Sequence, residues 1–391
     1  MNTAKYIAAA LLMTAAAAGW GATPLDATQA VLAVLDKSPS LKGLQVDNSA
    51  QTLEIQDAAR FNNQPEVEFA RLWGRNDKRW NLSVSQGFDW PGVYKKRRQA
   101  SRTRIDAFTY LYEASRQNLA LQAKLAYAQG VYAQKRIDLV QGLLDNLAKL
   151  DTLIQIGYER GQLTVLDVRK SRYERYSVST QMTDLQAELT DARTALDGMA
   201  GEILDYSFDA YGPQPILTMD EYLVQIDGTP ELQAMRQLAD ADLADASVAK
   251  AERLPSFSLG YVHAYEDQEH FNGLSVGVTL PVFATKNSER AASMRAQNGL
   301  ATAQAEEDKI VLETVGLYKK VKDRQKYLAE MHAVVLDESY PELLMMAYRG
   351  GKLNVITYLQ EMNYFMQARL DYLSTEYQYI TDLIRLNGYT L

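Results

Sequence analysis

Three histidines, His263, His270 and His332, are the first residues that could do chemistry, and there is no cysteine. His263 and His270 stand near Asp267 and Glu269, and imidazole with carboxylate is a zinc-type ligand set. Their spacing meets no metal-site pattern. The alternation around them reads as a strand end followed by a polar loop, Glu266–Gly273. Met345, Met346, Met362 and Met366 could offer thioethers to Cu(I), although methionine more often fills helix seams. Without cysteine there are no disulfides, thiolate metal centres or thiol nucleophiles. No GxxxxGK, GxSxG or HExxH occurs, and nothing sets a nucleophile beside a base. The reading is a non-enzymatic chain without a bound metal or cofactor.

What the chain does carry is a phrase written twice. "YERGQLTVLDV" (Tyr158–Val168) is echoed by "YRGGKLNVITY" (Tyr348–Tyr358), with Gly161 and Gly351 in register. "SPSLK" (Ser38–Lys42) is echoed by "TPELQ" (Thr229–Gln233), and "LSVSQGFDWP" (Leu82–Pro91) by "LSVGVTLPVF" (Leu274–Phe283). Three anchors in one order, about 190 residues apart, mean an internal duplication. In each copy a proline-led helix opens (about 41–61; about 230–253). Two short alternating segments follow, then a very long helical stretch, the YxxG phrase and another long helix.

The first long stretch, about 95–158, has no proline and would span roughly 95 Å as helix. Within it Val140, Leu143, Leu147, Leu150 and Ile154 step by three and four, a seam for coiled-coil packing. The second stretch, about 288–348, behaves likewise, with a kink expected at Pro341. At the phrases, Gly161 and Gly351 can take the φ > 0 position that ends a helix. Leu163 and Leu353 can pack beneath the turn, and Thr164 or Asn354 can cap the next helix.

The alternating segments predict strands at about 65–73, 80–90, 255–263 and 274–283. Trp73, Trp80 and Trp90 all fall in the first pair. Trp80 and Trp90 would share a face ~25 Å apart along a membrane normal if the strand tilts as barrel strands do. That matches the apolar band of an outer-membrane barrel, while core tryptophans of a soluble sandwich are the other reading. Four strands cannot seal a barrel in lipid, where open edges leave backbone groups unpaired. Three chains pooling strands would supply twelve.

Composition sets the surroundings. The 391 residues carry a formal charge of −8 with no long basic block, which disfavours nucleic acid as a partner. Residues 1–22 combine Lys5 with the apolar run Ile7–Ala18, too short to span a bilayer, and read as a secretory signal peptide. Beyond them no apolar run is long enough for a transmembrane helix, so any crossing must use strands. The expected division is 1–22 signal peptide, 23–228 first repeat with its tip near 158–165, and 229–391 second repeat with its tip near 348–355.

The duplicated layout, "PEVEFARLWG", "VSQGFDWPGVYKKR" and the two YxxG phrases resemble the TolC family of outer-membrane efflux channels, and most its shorter CzcC-like branch. The resemblance implies a mainly α fold with a small β part. Long coiled-coil helices would form a periplasmic α-barrel, and four strands per chain a twelve-stranded trimeric β-barrel. It implies a homotrimer in outer-membrane lipid of a Gram-negative bacterium. The channel would serve as the passive exit duct of a tripartite efflux system for heavy-metal cations or drugs. Its partners would be a periplasmic adaptor and an inner-membrane transporter of the RND type. Gly161, Gln162, Leu163, Gly351, Lys352 and Leu353 would form the adaptor-docking turns. Tyr158, Asp167, Tyr348, Arg349 and Lys352 would contribute to gating at the tip, with Asp167 pairing with Lys352 or Arg349. Thr357 stands where the second repeat could carry a matching acid. Trp73, Trp80 and Trp90 would form the membrane girdle. A type I secretion channel shares the same architecture, and a soluble periplasmic helical scaffold is the reading of another class.

Overall fold

The computed structural model describes residues 24–60, 63–73, 78–266, 268–281, 287–337 and 339–389. The signal-peptide expectation lies outside them. The chain opens with α1 (Ala27–Lys37) and α2 (Pro39–Ala59), then β1 (Glu66–Trp73), β2 (Lys78–Phe88), α3 (Pro91–Glu159) and α4 (Val165–Ala200). The same order returns as α5 (Met219–Asp227), α6 (Pro230–Ala251), β3 (Ser256–Glu266) and β4 (Glu269–Thr279). Next come α7 (Asn287–Val335), α8 (Tyr340–Arg349) and α9 (Val355–Leu386). Pro39 and Pro230, the matched prolines of the first echo, both open helices, where a missing N–H costs nothing. Neither α1 nor α5, the short helix before each proline, was anticipated from periodicity.

α3 runs unbroken for 69 residues, about 100 Å at the α-helical rise. Its five seam residues, Val140 to Ile154, are all buried against Val178, Met182 and Leu185 of α4 and Val355, Leu359, Met362 and Met366 of α9. The seam therefore joins both repeats in one core. Met362 and Met366 are spent in that packing, and Met346 is exposed.

The second repeat differs in one respect. The expected kink at Pro341 is a break: α7 stops at Val335 and α8 starts at Tyr340. Proline sits in the first turn of α8, where it is tolerated, and Asp337 Oδ1 accepts from Ser339 N at 2.9 Å and Ser339 Oγ at 2.7 Å.

The strands form one antiparallel sheet in the order β1-β2-β3-β4. Two expected boundaries are corrected. Trp90 is not in a strand; it is the N-cap of α3. The segment read as a loop, 266–273, is mostly strand, because Glu266 pairs with Glu269 and the turn between them is only two residues long. Gln268, in that turn, has φ 69°, as tight hairpins require. The expected strand end at 282–283 lies outside the described residues.

Candidate functional site

The sheet has two chemically distinct faces. Register places Phe69 opposite Leu82, Leu82 opposite His263, and His263 opposite Asn272. Along this face run Val67, Phe69, Leu82, Val84, Leu274 and Val276, all exposed, from 39% at Leu82 to 81% at Leu274. The other face carries Ser83, Ser85, Ser258, Gly260, Ser275 and Gly277. A soluble sheet would bury the first face and wet the second. Here the apolar face is the open one, and none of the described residues covers it.

Aromatic residues mark its two ends. At the hairpin end Trp80 stacks on Tyr265 at 6.2 Å and meets the His263 ring at 5.3 Å. At the helix end Trp90 lies 5.7 Å from Phe257. Trp73 is 78% exposed at the end of β1. Two of the three histidines belong to the first group: His263 Nδ1 lies 2.7 Å from Asn272 Oδ1, and His270 Nδ1 lies 3.2 Å from His263 Nε2, while His332 stands apart on α7. Asp267 lies outside the described residues. Among those described, no group of three or more His, Asp or Glu is placed to hold a metal, and no helix is long and apolar enough to cross a membrane.

β1 and β4 each have a single neighbour among the described residues. Each leaves a row of backbone N–H and C=O groups along its outer edge. An exposed apolar face joined to two open edges is what a barrel wall needs if further copies complete it.

The tips lie at the other end of the long helices. Tyr158 and Gly161 occupy fixed places in a helix stop. Gln162 N donates to Gly157 O at 2.8 Å and Gly161 N to Tyr158 O at 2.9 Å. Lys352 N donates to Ala347 O at 2.9 Å and Gly351 N to Tyr348 O at 3.0 Å. This is the Schellman pattern, repeated bond for bond. It needs a left-handed residue at its end, and Gly161 has φ +71° and Gly351 φ +69°. Leu163 and Leu353 tuck against the shared seam. Gly157, which sequence reasoning passed over, is Leu163's seat: a Cβ there would lie 2.8 Å from Leu163 Cδ1.

The next helices start differently. Thr164 Oγ1 accepts from Asp167 N at 3.3 Å, while Asp167 Oδ2 accepts from Thr164 N at 2.9 Å and Thr164 Oγ1 at 2.7 Å. This is a capping box with aspartate in the usual glutamate place. Thr-x-x-Asp in the sequence was its signal. In the second tip Asn354 Oδ1 accepts from Thr357 N at 2.8 Å. The hydrogen bonds from the Thr164 hydroxyl and backbone hold the Asp167 carboxyl below the usual carboxylate range.

Of the residues expected to gate, Asp167 and Tyr348 are linked within the chain through charge alone, with no hydrogen bond between them among the described residues. Burial and then the Asp167 charge push the Tyr348 phenol up, so the two groups sense each other across the hairpins. Tyr348 also faces Tyr358 at 5.7 Å. Tyr358 is buried, its hydroxyl has no hydrogen-bond partner among the described residues, and burial pushes its pKa to about 12. No ion pair within the protomer joins Asp167 to Arg349 or Lys352 among the described residues; both cations are exposed, as are Tyr158 and Gln162.

No protein-family model matches the sequence. A cobalt-zinc-cadmium resistance protein, CzcC of Cupriavidus metallidurans, is 23% identical over 278 residues, 66% of this chain and 64% of that protein's length. The outer-membrane channel OprN superposes with a TM-score of 0.77 at 17% identity, covering 93% of this chain and 89% of its own. The CmeC outer-membrane channel of Campylobacter jejuni gives 0.78 at 15% identity, covering 95% and 90%. CusC gives 0.73 at 17% identity, covering 96% and 94%. Sheet order, paired tips and near-complete superposition agree: the chain has the fold of the TolC family of outer-membrane channels.

Proposed function

We propose that this protein is the outer-membrane exit duct of a tripartite efflux system. Three copies would pool their sheets into a twelve-stranded barrel, and their long helices would extend a tunnel into the periplasm. The observation that carries this reading is the apolar sheet face that the described residues leave open beside two strand edges they leave unpaired. Only lipid on the face and further copies on the edges satisfy both at once.

The duct is passive, and a periplasmic adaptor docks at Gly161, Gln162, Leu163, Gly351, Lys352 and Leu353. These two turns share one burial pattern, two exposed residues followed by a half-buried leucine on a common seam, so one adaptor feature can address both. The inner-membrane partner is a transporter of the RND type. Tip closure uses Tyr158, Asp167, Tyr348, Arg349 and Lys352 between protomers, where the exposed Arg349 and Lys352 can reach a neighbour's Asp167. Trp73, Trp80 and Trp90 form the girdle. The cargo is heavy-metal cations, a reading supported by the likeness to a cobalt-zinc-cadmium resistance protein.

Membrane fractionation and heat-modifiable migration test the architecture, with a trimer in the outer membrane expected. Recovery as a monomer in the soluble periplasm would point to a helical scaffold instead. A deletion strain tested against metals and drugs tests the cargo: lost resistance to divalent metals alone is expected. Unchanged resistance with impaired export of a polypeptide would point to type I secretion.

A further inference from the structure

The start of α3 is basic beyond anything the fold requires. Six of the ten residues from Lys95 to Arg104 are Lys or Arg, in a chain whose net charge is −8: Lys95, Lys96, Arg97, Arg98, Arg102 and Arg104. Two of them have structural work. Arg97 pairs with Asp89 at 2.8 Å and Glu252 at 2.7 Å, and Arg104 with Asp242 at 3.1 Å and Asp245 at 2.5 Å, tying α3 to α6. Lys95, Lys96, Arg98 and Arg102 are exposed and paired with no carboxylate among the described residues.

Their position follows from the helix repeat. α2 and α6 pack on one side of α3, burying Val93, Ala100, Ser101 and Ala107. Gly92, Lys95, Gln99 and Arg102 step by three and four along the opposite, open side, and all are exposed. Trp90 connects this side to the sheet. Its ring lies 5.7 Å from Phe257 on the apolar face, and its Cδ1 would lie 3.5 Å from a Cβ at Gly92. The open side of α3 is thus the direct continuation of the apolar face, with charge starting about one helical turn beyond the indole. Arg98 and Arg102 also line a groove of about 670 Å³ against the end of α2, where Arg60 stands.

The duplication supplies an internal control. At the spacing that aligns Leu82 with Leu274, Lys95, Lys96 and Arg102 correspond to Asn287, Ser288 and Met294. The second repeat keeps one of these cations, Arg290 at the place of Arg98, and starts its long helix without the other three, so the fold does not need Lys95, Lys96 or Arg102.

We propose that Lys95, Lys96 and Arg102, flanked by Arg98 and Arg60, bind the phosphate headgroups of anionic phospholipids in the leaflet adjoining the helices. The inference rests on the membrane reading of the sheet. Apolar band, indole and then unpaired cations is the order in which a bilayer presents acyl chain, interface and phosphate. Because the cluster occurs once per protomer, a trimer holds three such sites.

The test is native mass spectrometry of the purified full-length protein in detergent, titrated with phosphatidylglycerol or phosphatidylcholine. The wild type is expected to retain phosphatidylglycerol at least about fivefold better. The K95Q/K96Q/R102Q variant should bring that ratio close to one, and R290Q/R295Q should leave it unchanged. Should the triple variant fail to form trimers, K95Q/K96Q carries the same expectation at reduced size. Equal retention of both lipids by a wild-type trimer, or undiminished selectivity in the variants, overturns the proposal and leaves the barrel reading standing. A soluble monomer in the same experiment overturns both.

Discussion

The two tips use one backbone solution and two electrostatic ones. Each ends its incoming helix with the same pair of Schellman bonds and a left-handed glycine. The first starts its outgoing helix on a carboxylate, the second on a neutral amide. Duplication preserved the geometry, which is over-determined by glycine and by the leucine beneath it, and left the charge free to diverge. The difference matters because Asp167 serves its own helix first. Its two bonds to Thr164 stabilise the cap, and its charge complements the helix N-terminus. Any reading of Asp167 as a gating acid must separate a broken gate from a frayed helix.

The comparison breaks most sharply if the tips are independent. Leu150→Ala should cost about 2–5 kcal/mol and speed amide exchange in both hairpins, because the seam around it contains residues of α3, α4, α8 and α9. Loosening confined to the first hairpin would show two separate units. Gly161→Ala and Gly351→Ala should each cost about 1–2 kcal/mol of local stability, and by nearly equal amounts, since both glycines sit at the same positive φ. Unequal exchange at the two turns would show that the turns are not equivalent.

The caps should separate the tips. Thr164→Ala and Asn354→Ala should each cost about 1 kcal/mol, and only the first site should depend on pH. The Asp167 pKa is depressed in the folded state, so its contribution is complete above the ordinary carboxylate value of about 3.9. It is lost as pH falls through the lower folded value. Amide exchange at Asp167 followed down through that range should accelerate, and Asp167→Asn should flatten the dependence. Tyr358→Phe should have the smallest effect, neutral or stabilising by under about 1 kcal/mol, because it deletes a buried hydroxyl that has no partner among the described residues. A clear loss in thermal melts would mean that this hydroxyl is bonded in the assembled protein.

The sequence revealed most where a local rule is sufficient. Glycine and a Thr or Asn cap define the tips within a few residues, and the three-four rhythm from Val140 to Ile154 marks the buried seam. Strand limits were less legible at the second hairpin. Residues 266–273 are mostly polar, as loops are, yet Glu266 closes β3 and Glu269–Gly273 belong to β4, a strand end that is not covered and need not be apolar. Pro341 signalled a disturbance but could not say kink or break, because the outcome depends on the Asp337–Ser339 bonds before it. Gly157 was silent: a glycine inside a helix becomes meaningful only once Leu163 folds back onto it. The expected pairing of Asp167 with Arg349 or Lys352 is not made among the described residues of the chain, because Asp167 is engaged by Thr164 at its own helix start, which the spacing alone does not show.

The interruption between α7 and α8 makes the two legs of the protomer mechanically unlike. One is a single rod from the sheet to its tip; the other has a joint about four-fifths of the way down. A lateral displacement of the second tip can be absorbed by bending at that joint, whereas the first tip can shift only by tilting its whole rod. Compliance is therefore built into one of the chain's two legs, and strain arriving from below reaches the sheet undamped along only the other.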